Sequence, residues 1–336
     1  MITVAKEGGD FSTIQEAVLS LKDGSGHRQT IFVKDGVYEE KLFIRKESLD
    51  IVGESREKTM IRYNDGAKKL FDDGAEYGTF NSATLFLSGN DITMRNITVE
   101  NYAGPGRQAG QALAVFVSAD RAAFYNCAFL GYQDTVYTGG ALGGNHSRVR
   151  LPDYIRNSDV RSDFPVLRNY FENCLICGDV DFIFGPNTVY YNKCHIFVRS
   201  LPIERSTYIT AANTPIGQEY GFVFHGCKVE FENTADCNSY LGRPWRDYAK
   251  TAFVKCEIGE GIHPAGWHNW SKPKAEVTCG YVEYMNYGAG ADTSERAAFA
   301  KILDNPGIYE YYSVESVLAG DDGWNPQENK NAEKEI

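Results

Sequence analysis

Asp134 and Asp181 close two nine-residue segments that align without a gap. Asn126-Cys127-Ala128-Phe129-Leu130-Gly131-Tyr132-Gln133-Asp134 lies over Asn173-Cys174-Leu175-Ile176-Cys177-Gly178-Asp179-Val180-Asp181, with Asn, Cys, Gly and Asp recurring at four of nine positions. If both segments are turns of one repetitive fold, the two carboxylates occupy equivalent places on strands roughly 4.8 Å apart. Carboxylates that close repel, so one keeps its proton to higher pH while the other stays ionised. One site then offers both an acid and an anionic nucleophile or base. Arg243, in Leu241-Gly242-Arg243-Pro244-Trp245, is the candidate bidentate partner that keeps one of them charged. Gln111 and Gln133 are also about one repeat apart and can stack with their amide N–H groups aimed at a developing oxyanion. Turn aspartates often do no more than cap loops. The aromatic side chains nearby, Tyr132, Phe182, Phe184 and Trp245, favour chemistry on a sugar, although a Phe inside Val180-Asp181-Phe182-Ile183-Phe184 is more often core.

The elements that must hold these residues repeat along the chain. Short apolar runs bounded by Gly, Asn or Asp recur at Leu49–Gly53, Arg95–Val99, Tyr125–Phe129, Glu172–Ile176, Asn192–Ile196 and His225–Val229. A rung of about 20 residues, with loops of variable length outside the stack, accounts for their spacing. A β-sandwich also has many short strands, but it does not require equivalent residues to return in register. The expectation is therefore an all-β chain folded as a β-helical solenoid, a single domain over 1–336. Helical covers are expected at about 11–22, where Ser12 and Gln15 have capping-box spacing, and at about 293–320, opening with a helix over Thr293–Leu303. The polar stretch 325–336 is expected to fray. The segment from about Gly139 to Asp163, rich in Gly, Asn, Ser, Asp and Arg, reads as a surface loop overhanging the site.

Composition excludes several classes. A formal net charge of −11 leaves no basic stripe for nucleic acid. No run reaches the roughly 18 apolar residues of a membrane helix. The chain enters domain sequence directly at Met1-Ile2-Thr3-Val4, which leads to the expectation of a cytoplasmic protein, with secretion after removal of a leader as the alternative. Of the eight cysteines, Cys127, Cys174, Cys194, Cys227 and Cys256 each begin an apolar run and read as buried thiols. Cys174 and Cys177 form a lone C-x-x-C without a second pair, and the six histidines lack metal-ligand spacing. No metal or cofactor is expected, and no Gly-x-Ser-x-Gly elbow or phosphate loop is present.

Several motifs in order give the chain its resemblance. Gly36-Val37-Tyr38-Glu39-Glu40, Thr79-Phe80-Asn81-Ser82-Ala83-Thr84, Ile97-Thr98-Val99-Glu100-Asn101 with Gly104-Pro105, and Gln111-Ala112-Leu113 come first. Gly131-Tyr132-Gln133-Asp134-Thr135, Gly178-Asp179-Val180-Asp181-Phe182-Ile183-Phe184-Gly185 and Leu241–Trp245 follow. Together they resemble the pectin methylesterases over nearly the whole chain. The resemblance implies that the solenoid is a right-handed parallel β-helix and a cofactor-free esterase acting on methylesterified homogalacturonan or oligogalacturonides; no nucleic-acid or membrane partner is expected, and a monomer is expected. It implies that Asp181 attacks the ester, Asp134 serves as acid and then base, Gln111 and Gln133 hold the oxyanion, and Arg243 orients Asp181. It also implies Trp245, Phe182, Phe80, Tyr137 and Thr79 as groove residues. Many plant members carry Thr where this chain has Asp179. The rival readings are a same-fold esterase or thioesterase on another acyl group, a calcium-dependent pectate lyase, and a non-catalytic glycan-binding β-helix.

Overall fold

A computed structural model describes residues 1–22, 27–140, 149–154, 166–201, 206–233 and 238–328. Its strands pair in parallel throughout and coil as a right-handed parallel β-helix with three faces. The front face carries Val115–Asp120, Val136–Thr138, Val180–Gly185, Thr207–Ala212 and Ser239–Gly242. The rear face carries Ala122–Tyr125, Arg168–Glu172, Thr188–Asn192, Phe222–His225, Lys250–Val254, Gly280–Tyr284 and Lys301–Leu303. The side face runs from Gly36–Tyr38 to Glu257–Ile258. Two long strands, Leu42–Gly53 and Leu85–Arg95, pass from front to rear without a break, bending at the positive-φ residues Ser48 and Asp91.

One corner explains the repeat read from the sequence. The chain turns from rear to side at Asn96, Asn126, Asn173, Lys193, Gly226, Lys255 and Met285, each with φ between 49° and 58°. A left-handed residue makes this sharp turn, and Asn and Gly tolerate it best. The residue after it points inward. At five successive corners that residue is Cys127, Cys174, Cys194, Cys227 and Cys256, all fully buried and unpaired by disulfide. The thiols of Cys174, Cys194, Cys227 and Cys256 donate to the carbonyls of Phe124, Phe171, Tyr191 and Phe224 one rung back, at 3.5, 3.4, 3.2 and 3.4 Å. Those four aromatic residues, with Phe253, stack down the interior at centroid distances of 4.5, 5.0, 4.4 and 4.5 Å. Each buries apolar surface worth roughly 1.5–3 kcal/mol. Cys177 faces away from this interior, so the C-x-x-C is not a unit.

The N-terminal cover is the helix Ile14–Ser20, whose Ile14, Ala17 and Val18 close the core. Its cap is Thr13 rather than the expected Ser12: Thr13 accepts from Glu16 N and donates to a Glu16 carboxylate oxygen at 2.7 Å. Glu40 accepts from the amides of Ile14 and Gln15, both at 3.0 Å. The other end departs from expectation. Thr293–Leu303 is not helical; it turns around Arg296, then pairs as the strand Lys301–Leu303. Arg296 Nε bonds the buried Glu283 carboxylate at 2.8 Å, and its other nitrogens reach Pro264 O and Gly290 O. Those three anchors hold the segment in an irregular path that still packs Ala297, Phe299 and Ala300 on the core. The helices of this region, Gly307–Tyr311 and Val314–Leu318, lie against the rear face instead of the end. Asn325–Glu328 is held rather than frayed, since Pro326 O accepts from Tyr125 Oη at 2.5 Å; residues 329–336 lie outside the described residues. No helix is long and apolar enough to cross a membrane among the described residues.

Candidate active site

The outward side of the front face carries one aromatic ring per rung. Phe43, Phe86, Phe116, Tyr137 and Phe184 follow one another in strand register, with centroid distances of 6.0, 4.9, 4.6 and 4.9 Å. The next residue in register is Ala211, and the ladder stops. The missing ring leaves a cavity of about 330 Å³ lined by Thr79, Phe80, Gln111, Gln133, Asp134, Asp181, Phe184, Ala211, Arg243, Trp245 and Trp270.

Asp134 sits in the tight turn between Ala128–Leu130 and Val136–Thr138. Its amide donates to Val180 O at 3.0 Å, and Thr135 Oγ1 donates to Cys177 O at 3.0 Å, so the turn is fastened to the following rung. Val136 pairs with Ile183, which carries the same offset back to Asp134 and Asp181. Asp181 stands at a bulge. Val180 faces Tyr208 and Ile183 faces Thr210, so Asp181 and Phe182 together oppose the single residue Ile209. Both aspartates have left-handed backbones, at φ 66° and 50°. Asp tolerates that region better than bulkier residues, and such conformations gather at functional sites.

The two carboxyls share burial but not partners. Asp134 is 8% exposed and Asp181 7%. Arg243 holds Asp181 bidentately, Nε to Oδ1 and Nη2 to Oδ2, each at 2.7 Å. Burial raises Asp181 above the usual carboxylate range while the Arg243 hydrogen bonds and charge, and the charge of Lys272, pull it back. Asp134 is pushed well above that range, first by burial, then by the Asp181 and Asp179 charges, with only the Arg243 charge opposing. This asymmetry makes Asp134 hold its proton more strongly than Asp181 does. Gln111 and Gln133 lie on adjacent rungs, linked by Ala112 N donating to Gln133 O at 3.1 Å. Room for the Gln133 amide comes from Gly106, where a Cβ would fall 2.3 Å from Gln133 Oε1.

Eight of the ten residues singled out in the sequence meet in this cavity; two do not. Phe182 is fully buried in the interior, because the bulge turns Phe182 and Ile183 both inward. Tyr137 is an interior rung of the outer ladder, covered by Phe80 at 4.9 Å, and is likewise fully buried. Phe184, one of the aromatics expected nearby, also lines the cavity; Trp270 and Ala211 belong to the lining and were not expected there. Trp270 comes from a loop without repeat or motif, whereas Phe184 and Ala211 follow from extending the register by one rung. Of the expected overhanging loop, residues 139–140 and 149–154 are described, and Val149 and Leu151 pack against the outer aromatic cluster that Phe80 and Trp245 also cover, while 141–148 and 155–163 lie outside the described residues.

Residues 1–141 and 164–321 match the Pectinesterase family model. The chain belongs to the pectinesterase family. A pectinesterase of Citrus sinensis is 33% identical over 98% of this chain and 59% of its own length. A pectin methylesterase structure from carrot is 31% identical, covering 96% of this chain and 93% of that one, with a TM-score of 0.79. A pectin methylesterase solved with a hexasaccharide is 29% identical over 97% of this chain and 98% of that one, with a TM-score of 0.78. The chain spans about half the length of the curated pectinesterases it matches. These relatives correct the cytoplasmic expectation, because plant pectinesterases are cell-wall or secreted enzymes. The first residues of a chain that spans part of its relatives do not report on a leader.

Proposed function

We propose that this chain hydrolyses the methyl esters of galacturonate units in pectin or in methylated oligogalacturonides and releases methanol, working as a monomer. The observation that carries the reading is the unequal carboxyl pair, with Asp181 held in a bidentate Arg243 bond and Asp134 buried beside it without a cation of its own among the described residues. Asp181 Oδ attacks the ester carbonyl carbon, and the carbonyl electrons move onto oxygen. The Gln111 and Gln133 amides donate to that oxyanion. As the tetrahedral intermediate collapses, Asp134 gives its proton to the methoxy oxygen, and methanol leaves. Asp181 is then joined to the sugar carboxyl as an anhydride. Asp134, now ionised, takes a proton from water; the hydroxide attacks the sugar acyl carbon, frees Asp181 and restores the starting state. Thr79, Phe80, Trp245 and Trp270 line the space where sugar rings dock.

The test is methanol release from highly methylated pectin and from short methylated oligogalacturonides, in chelator, by wild type and Asp181→Asn. The expected result is metal-independent release that Asp181→Asn lowers by at least about a thousandfold, as for loss of a nucleophile, with substrate still bound. Full turnover by that variant would falsify the mechanism. Chain cleavage to unsaturated products without methanol, abolished by chelator, would favour the calcium-dependent lyase reading.

A further inference from the structure

Arg243 does not belong to the rung next to Asp181. Thr207–Ala212 lies between them: its Tyr208 pairs with Val180 on one side and Tyr240 on the other, and Thr210 O accepts from Arg243 N at 2.9 Å. The arginine side chain therefore runs back across a whole intervening rung to reach its carboxylate. A long side chain has many rotamers, and a bidentate bond demands one plane. Two rings supply that plane. The guanidinium carbon is 3.7 Å from the Tyr208 ring centroid and 3.8 Å from that of Trp270.

The rings are themselves braced. Tyr208 stacks on Tyr240 at 5.4 Å and 12°, and Tyr240 stacks on His263 at 4.8 Å and 22°. His268 meets Tyr208 and Tyr240 edge-on at 5.7 and 5.3 Å, and its Nδ1 accepts from Trp270 N at 2.9 Å. Trp270 also lines the cavity, whereas Tyr208 does not and is almost fully buried.

We infer that Tyr208 and Trp270 clamp the Arg243 guanidinium in the plane that grips both Asp181 oxygens, which makes Tyr208 a positioning residue for the esterase. The inference rests on the proposed role of Asp181. Cation–π contact is strongest where water is excluded, as it is behind Arg243. Among the described residues the charged and titratable groups facing the pair are Lys272, Asp134, Asp179, His268, His263 and the buried Tyr281. Burial holds His268 below its usual range, so it adds little positive charge near neutrality. Arg243 is thus the main group keeping Asp181 ionised. Loosening it raises the pH at which Asp181 becomes active and misaims the nucleophile.

The experiment compares Tyr208→Leu, which removes the ring, with Tyr208→Phe, which keeps it. Tyr208→Leu should lower kcat about ten- to a hundredfold, the range for a misplaced reacting group, with KM within about twofold. Its acid limb should move to higher pH, and Tyr208→Phe should restore both. Wild-type kcat and acid limb in Tyr208→Leu would overturn the clamp. So would a rise in KM alone. The Asp181 carboxyl is titrated in parallel, by 13C NMR of the free protein in each variant. If wild type releases no methanol, the substrate reading falls, while an upward shift of Asp181 in Tyr208→Leu still supports the clamp and an unmoved one overturns it. Should Tyr208→Leu not fold, Trp270→Leu is titrated instead, with the same two outcomes.

Discussion

Asp179 lies two residues before the proposed nucleophile and is almost fully buried, with Val180 N donating to its Oδ1 at 2.6 Å. Burial pushes it up to about 6, against that amide bond and the Arg199 charge. A carboxyl raised in the folded state stabilises the fold fully below its unfolded pKa of about 3.9, and that contribution is lost as pH rises through the folded value. Ionised Asp179 therefore costs about 2 to 3 kcal/mol near pH 7. Asp179→Asn keeps the acceptor and removes the charge. It should be more stable than wild type by about that amount at neutral pH, with the gain shrinking between pH 6 and 4 and absent below, followed by chemical denaturation. The Asp179 charge also raises Asp134. The same variant should thus lower the pH at which the proposed acid loses its proton, moving the alkaline limb of the rate profile downward. A stability gain that persists unchanged at pH 3.5 would mean that something other than charge burial is responsible.

Corners set the register of the elements, and two substitutions separate turn from core. Lys193 adopts φ 52° at a corner that four of its equivalents, Asn96, Asn126, Asn173 and Gly226, make with Asn or Gly. Lys193→Asn should stabilise by about 0.5 to 1 kcal/mol, part of the left-handed penalty for a residue with a Cβ. Phe171 sits between Phe124 and Tyr191 in the interior stack. Phe171→Ala should cost about 3 to 5 kcal/mol, the range for deleting a buried ring. Both are read from denaturation midpoints; a destabilised Lys193→Asn would refute the corner account. The repeat was legible because these corners select Asn and the inward position after them selects a small buried side chain. The Asp134–Asp181 equivalence and the glutamines were legible for the same reason, because repetition places them; Arg243 was legible through the Leu241–Trp245 motif. Phe182 was misread because a bulge adds one residue, which breaks the in-out alternation that a period of two assumes. Trp270 was missed and the Thr293–Leu303 cover was misread because no repeat governs them. Tertiary anchors to Arg243 and Glu283 decide their conformation.

A solenoid stacks its rungs in one direction, so its ends need covers and its outer faces need partners. On the rear face the outward side chains Ala123, Tyr125, Tyr170, Tyr190 and Val223 are apolar or aromatic. Val314, Val317 and Leu318 of the C-terminal segment bury them, and Tyr190 Oη donates to Tyr312 O at 2.9 Å. One ionic knot fastens this cover. Asp322 bridges Arg121 Nη1 at 2.9 Å and Arg168, whose Nη2 donates at 2.8 Å, while Asp120 binds both arginines from the rung itself. The Arg168 hydrogen bond holds Asp322 well below the usual carboxylate range, opposed by burial and aided by the arginine charges. A depressed carboxyl contributes stability that is present above its unfolded pKa and lost as pH falls through the folded one. Asp322 is partly exposed, so solvent screening limits the knot to about 1 kcal/mol. Asp322→Asn should lose that amount at neutral pH, and the difference from wild type should close as the solution is made acid. Limited proteolysis should release the segment after Leu303 faster from the variant. Because the cover lies on the rear face and the cavity opens on the front, kcat of the intact variant should equal that of wild type. A variant whose tail is released at the wild-type rate would show that the apolar contacts alone hold the cover, with Asp322 a bystander to them.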